Sequence, residues 1–110
     1  MGIQTDSSDK RLFNRIAFDA SVCIQNHDTN WESNLIDISL KGVLVHKPEK
    51  WTHKSQDEFN IIVKLEDHVS EINMQVLQVH EEDKQLGFQC INIDLESMAI
   101  LKRLVELNLG

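Results

Sequence analysis

Two arginines stand four positions apart near the N-terminus, and a lysine precedes them. Arg11 and Arg15 enclose three residues, and Lys10 lies directly before Arg11. A planar guanidinium group pairs bidentately with phosphate or with the Hoogsteen edge of guanine, whereas an ammonium group acts as a point charge. The spacing therefore suits recognition of an anionic, guanine-containing ligand. A solvated basic stretch in front of a strand explains the same residues, and this cluster alone favours that simpler interpretation.

A second polar group occupies positions 37–42, which read Asp-Ile-Ser-Leu-Lys-Gly. The short side chains of Asp37 and Ser39 can bond neighbouring backbone amides or the amino edge of a base. Gly42 permits a positive φ or the close approach of a ligand. An ordinary hairpin turn with local side-chain caps has the same composition, and it is the better interpretation of these residues taken alone.

The residue types used by enzymes form no recognisable pattern in this chain. The four glycines are far apart, so no glycine-rich loop for phosphate is present, and no two histidines have the i, i+4 spacing of metal ligands. Cys23 and Cys90 are too distant in sequence to resemble paired thiol ligands, and no serine stands in a nucleophile-elbow context. We therefore expect neither an enzyme nor a metal site, and no cofactor.

Alternating apolar and polar residues predict six short strands that would position the two polar groups. The predicted strands cover 16–25, 31–38, 42–46, 59–65, 71–80 and 86–93. On the fifth strand the inward face would hold Ile72, Met74, Val76 and Gln78. Strands at hairpin spacing are typical of a small antiparallel barrel or sandwich.

The C-terminal segment changes to a helical period after Asp94, which is a suitable N-cap. One apolar stripe holds Met98, Leu101, Leu104 and Val105, and a minor second stripe holds Ile100 and Leu107. Residues 1–9 are polar and unpatterned, which predicts a flexible N-terminal arm.

Length and composition limit the classes of protein that remain. The 110 residues are 41% apolar and 26% charged, as expected for one globular domain. The net charge of −7 argues against binding DNA or RNA, which needs a basic face. No apolar run approaches the roughly 20 residues of a membrane helix, and no signal-peptide core begins the sequence. We expect a monomeric cytoplasmic protein with reduced cysteines and no membrane insertion.

In their order along the chain, the two polar groups resemble the motifs of the PilZ family, the bacterial receptor domains for cyclic di-GMP. The matching features are the Arg11-x-x-x-Arg15 pair, the strands after it, and the Asp37-x-Ser39-x-x-Gly42 turn. The apolar strand after this turn, the Leu-Gly-Phe sequence at 86–88 and the helix after position 94 also match. The resemblance implies a PilZ domain over 10–110, built as a six-stranded antiparallel β-barrel with a C-terminal α-helix.

The resemblance also implies roles for individual residues in binding cyclic di-GMP. Arg11 and Arg15 match the arginines that contact phosphates and guanine. Asp37 and Ser39 match the residues that read guanine and position the ligand, and Gly42 matches the glycine that keeps the turn open.

Two positions depart from the short, stand-alone relatives of this family. Lys10 stands where those relatives have another arginine, so it keeps the charge but lacks the bidentate fork. His80 stands where they have a tryptophan that stacks on a guanine, and an imidazole stacks over less area. A solvated histidine at the end of a strand explains His80 equally well. These departures bear on ligand affinity and on how many ligand molecules bind.

The segments 15–20, 94–95 and 103–109 are similar to stand-alone PilZ proteins of the MapZ type, which act as adaptors. Such proteins bind cyclic di-GMP and then a partner protein, which in that case is a chemotaxis receptor methyltransferase. The resemblance therefore implies a protein partner and signalling through altered protein contacts. The alternative is a PilZ-like module that binds proteins without any ligand.

Overall fold

A computed structural model describes residues 14–27, 29–52, 57–67 and 69–109. Lys10, Arg11 and the arm predicted at 1–9 lie outside these residues. Six strands precede one helix, and their bounds are β1 Ser21–Asn26, β2 Thr29–Ser39, β3 Gly42–His46, β4 Glu58–Lys64, β5 Glu71–Glu81, β6 Gln85–Ile93 and α1 Leu95–Leu109.

All strand pairs are antiparallel, and the strands close into one barrel in the order β1-β2-β3-β6-β5-β4. The closed order confirms the predicted six-stranded barrel and rules out the sandwich. Closure removes the unpaired strand edges that an open sheet would present. Two pairings, β1–β4 and β3–β6, join the first three strands to the last three.

Alternation along the strands places branched apolar side chains inside the barrel. The predicted inward face of β5 is confirmed, because all four of its residues are buried. Gln78 is the polar member of this face, and its Oε1 accepts a hydrogen bond from Trp51 Nε1 at 3.3 Å. Trp51 comes from the β3–β4 connection and packs against Trp31 and Phe59, with ring centroids 4.8 and 5.2 Å away. The aromatic rings thereby fill the core where these strands begin or end.

The first strand is shorter than predicted, and it begins at Ser21 rather than at Ile16. Continuing the β1–β2 register would place Ile16 opposite Ser39, but Ile16 instead forms an isolated bridge with Ile38. The intervening chain therefore leaves the ladder. Its apolar side chains at 16, 18 and 20 still pack against the core. The segment therefore keeps the alternating pattern of a strand although it is not paired as one.

The helix begins as the sequence predicts. The backbone N–H of Ser97 donates to Asp94 Oδ1 at 2.6 Å, which makes Asp94 the N-cap. Leu101 and Val105 are buried against the barrel. The hydroxyl of Ser97 accepts a hydrogen bond from the backbone N–H of Asn73 at 2.9 Å, and this bond ties the first turn of α1 to β5.

Gly42 and Gly87 provide a matched pair of substitutions that tests the β3–β6 contact. A Cβ on Gly42 would overlap the carbonyl oxygen of Phe88 and lie 3.0 Å from its carbonyl carbon. A Cβ on Gly87 would meet only the His80 side chain, also at 3.0 Å. We expect Gly42→Ala to lower the free energy of unfolding by about 3 kcal/mol or more, because backbone in a ladder cannot move aside. Gly87→Ala should cost about 1 kcal/mol. Urea denaturation measures both, and equal losses would contradict this assignment.

Candidate ligand-binding surface

Cross-strand pairing aligns two of the predicted site residues in one row across four strands. Asp37 on β2 pairs with Leu44 on β3, Leu44 pairs with Gly87 on β6, and Gly87 pairs with His80 on β5. The flanking residues Val43, Val45, Leu86 and Phe88 are buried, so by alternation this row faces outward. We call Asp37, Leu44, Gly87 and His80 the outer row. Its three strand spacings amount to about 14 Å.

Arg15 joins the outer row at its Asp37 end. Its Nε donates to Asp37 Oδ1 at 2.6 Å, and the two side chains are 44% and 23% exposed. The adjacent bridge fixes this contact, since Ile16 and Ile38 exchange two backbone hydrogen bonds of 2.9 Å. The guanidinium group carries four further N–H donors on its two Nη atoms. The contact therefore orients a cationic fork on the barrel surface.

Ser39 lies beside this pair, but unlike Asp37 it is buried. It is fully buried, and its hydroxyl accepts a hydrogen bond from the backbone N–H of Lys41 at 3.1 Å. Such a bond is a local turn cap. In the structure Ser39 shapes the β2–β3 turn that follows Asp37, which is the simpler of the two roles that the sequence left open.

The fold requires a glycine at position 42, for a reason that the sequence does not reveal. It pairs with Gln89, and its Cα faces the carbonyl group of Phe88 so closely that a side chain would not fit. The glycine therefore permits the contact between β3 and β6 on which the outer row depends.

His80 reaches the outer row through an irregularity in β5. The β5–β6 register shifts between Gln78 and His80, which turns the His80 side chain outward over Gly87. The imidazole is about half exposed, and its Nε2 lies 3.1 Å from Glu82 Oε2. Because Gly87 has no side chain, the His80 side chain can lie directly over it, and Gly87 is buried.

Leu44 and Gly87 belong to this surface, although sequence reasoning did not assign them to it. Leu44 is half-buried between Asp37 and Gly87. Neither residue has chemistry that would attract attention in a sequence. The only signal is their register opposite Asp37 and His80, and that requires the strand pairing.

The described residues also limit other chemistry. Across the described part of the chain, no group of three or more His, Cys, Asp or Glu residues is arranged to hold a metal ion. Burial raises the pKa of the Cys23 and Cys90 thiols, so both are protonated at neutral pH. Within residues 14–27, 29–52, 57–67 and 69–109, no helix is long and apolar enough to cross a membrane.

The structure is thus a small closed barrel with a C-terminal helix, and the outer row lies on its surface. Among protein families, the PilZ domain matches residues 9–107 of this chain. The chain belongs to the PilZ family, whose members are generally cyclic di-GMP receptors and are binding or adaptor modules rather than enzymes.

Solved structures share this fold at low sequence identity. The Bacillus subtilis inhibitor of motility MotI/DgrA matches with a TM-score of 0.73 and 16% identity over 84% of this chain and 48% of that one, so this chain spans about half its length. The PilZ domain of CeSA from a cellulose-synthesizing bacterium matches with a TM-score of 0.67 and 16% identity, covering 88% and 99%. An uncharacterized Legionella protein matches with a TM-score of 0.59 and 15% identity, covering 89% and 100%. These likenesses show the fold.

The ion pair between Arg15 and Asp37 should contribute little to stability. Exposed pairs are worth about 0–1 kcal/mol because water and salt screen them. A double-mutant cycle with Arg15→Ala and Asp37→Ala, followed by urea denaturation, should give a coupling energy below about 1 kcal/mol that falls as salt is added. A coupling above about 2 kcal/mol would instead make the pair a structural element of the barrel.

Proposed function

We propose that this protein is a receptor for cyclic di-GMP and that the ligand lies on the outer row. The contact between Arg15 and Asp37 carries the proposal, because it joins the two sequence motifs at one point of the surface. Membership of the PilZ family supports the choice of ligand. Lys10 and Arg11 lie outside the described residues, and we propose them as further ligand contacts from the sequence motif alone.

The chemistry of the row fits the parts of this ligand. Cyclic di-GMP has two phosphates and two guanines, and Arg15 can donate to a phosphate or to a guanine edge through its Nη atoms. Asp37 accepts from the donor edge of guanine. Leu44 offers a half-buried apolar contact in the middle of the row, and the His80 ring, which lies over the buried Gly87, offers a stacking surface at the far end.

Ligand binding would alter the surface offered to a partner protein. The PilZ family interacts with proteins as well as with cyclic di-GMP. Arg15 is followed within a few residues by the unpaired segment that leads into β1. A phosphate bound by the Nη atoms of Arg15, with its Nε still held by Asp37, would restrain this segment further. We propose an adaptor on this basis, without an enzymatic activity of its own.

One observation favours a second candidate function. Asp37 already accepts from Arg15, and Ser39 is buried with its hydroxyl engaged in the turn. Motif residues that are satisfied within the protein suit a PilZ-like module that binds partners without a ligand. Titration of the wild-type protein with cyclic di-GMP separates the two functions, because the second predicts no heat of binding and no amide shifts along the outer row.

Replacing Arg15 should weaken binding of cyclic di-GMP while leaving the barrel folded. Losing charge-assisted contacts costs about 1.5–3 kcal/mol, so Arg15→Ala should raise the Kd roughly 10- to 150-fold in isothermal titration. Arg103→Ala is the matched control, because Arg103 is exposed on α1 and should leave the Kd unchanged. An unchanged Kd in Arg15→Ala would remove Arg15 from the site.

The two departures from the stand-alone relatives should control how many ligands bind. We propose that two cyclic di-GMP molecules bind, with the second held more weakly and more sensitively to salt. Lys10→Arg would supply a bidentate fork, and His80→Trp would supply a larger stacking ring. Each should strengthen the second step more than the first, as measured by titration to saturation at two salt concentrations. One ligand per chain, unchanged in the double variant, would show that neither position sets the stoichiometry.

A further inference from the structure

A groove on the barrel lies between the segment that precedes β1, the β4–β5 turn and the side of α1. One part has a volume of about 440 Å³, and its apolar lining comes from Phe18, Leu65 and Leu104. A second part of about 510 Å³ shares Asp19, Leu65 and Glu66 with the first and continues past the start of β1. We call the two parts together the side groove. It contains no residue of the outer row.

The apolar floor of the side groove continues onto α1. At 100° per residue, Ile100, Leu104 and Leu107 lie within about 60° of one another on the helix. Leu104 is half-buried in the groove, and Leu107 is 72% exposed. Ile100 and Leu107 are the minor apolar stripe of the sequence, and packing against the barrel does not account for Leu107. The stripe therefore extends the floor of the groove outward.

Carboxylates surround this floor. The lining of the two parts holds four acidic residues and one basic residue, which are Asp19, Glu66, Asp67, Glu71 and Lys64. Lys64 lies directly across from Glu71 in the β4–β5 ladder, so these two charges offset each other. Asp67 is held in place, because its Oδ1 accepts from the backbone N–H groups of Val69 and Ser70. The rim of the first part is thus a set of positioned negative charges.

We propose that the side groove docks a cationic amphipathic helix of a partner protein. Leucine-like side chains of that helix would cover Phe18, Leu65 and the stripe on α1, and its lysines or arginines would meet Asp19, Glu66 and Asp67. Charge complementarity carries this choice of partner. A second copy of this chain is a poorer occupant, because both copies carry a net charge of −7 and the same acidic rim.

The test uses a fluorescein-labelled helical peptide of 18 residues, built from leucine on one face and lysine on the other, as the probe. Fluorescence anisotropy measures its Kd for the full chain. Asp19→Lys with Glu66→Lys reverses two rim charges that are both exposed, and like charges at an interface are strongly unfavourable. We expect at least a tenfold increase in Kd. A peptide with serine in place of leucine should bind at least tenfold more weakly to the wild-type protein.

The matched control is Glu49→Lys with Glu58→Lys, which changes the net charge equally at two exposed positions outside the groove. This control should change the Kd less than threefold. Amide shifts caused by the probe should cluster at 18–21, 65–70 and 100–107, and Leu107→Ser should weaken binding without altering the fold.

Three results would overturn the proposal. Equal losses in the groove variant and in the control would show that net charge alone attracts the probe. Absence of probe binding, or amide shifts centred elsewhere on the barrel, would show that the groove does not take a cationic helix. Self-association that sedimentation detects in the wild type and that Leu107→Ser abolishes would make a second copy the occupant.

Discussion

The pairing of β3 with β6 is the contact on which the other features of this protein depend. Together with the β1–β4 pairing it joins the first three strands to the last three, and it brings Leu44 beside Gly87 in the centre of the outer row. Gly42 makes the approach possible, because any side chain there would collide with the carbonyl group of Phe88. A glycine that looks like part of a binding motif is therefore needed first for the fold. The proposed ligand-binding motif and barrel closure therefore share this position.

At the Asp37 end of the outer row, Ser39 has a structural role, whereas Asp37 and Arg15 are the residues proposed to contact the ligand. Ser39 is buried and caps the β2–β3 turn, whereas Asp37 stays partly exposed and holds Arg15. Since the Arg15 contact uses Nε, the remaining N–H groups of the fork are directed by the same bond. Such a pair costs little conformational entropy at the moment of binding, because its geometry exists beforehand. The barrel would thus hold the Arg15 guanidinium group in place before the proposed ligand binds.

The outer row and the side groove are separate surfaces that one short segment connects. Ile16 is fixed by its bridge to Ile38, and the chain then passes Phe18 and Asp19 before β1 begins. A change at Arg15 is thus only a few residues away from the groove floor. Among the described residues, this segment is held by the Ile16–Ile38 bridge and by the bond from Leu35 N–H to the Ala20 carbonyl, so fewer pairing contacts restrain it than restrain the strands of the barrel.

The sequence by itself determined the elements of this protein. Period-two patterns predicted five strands to within a few residues of their bounds, and Asp94 predicted the start of the helix, because burial and capping act over short distances along the chain. The inward face of β5 followed from the same alternation. The first strand was placed too early because a chain segment can keep its apolar period while its backbone leaves the ladder.

Tertiary structure decided which of these residues meet. Arg15 and Asp37 were candidates in the sequence, but their contact depends on a bridge one position away from the β1 register. Leu44 and Gly87 joined the candidate site only through pairing between strands that are remote in sequence. The burial of Ser39 and the acidic rim beside α1 also depend on how strands and helix pack. Local patterns set the period of each element, whereas register and closure are long-range choices that no single segment encodes.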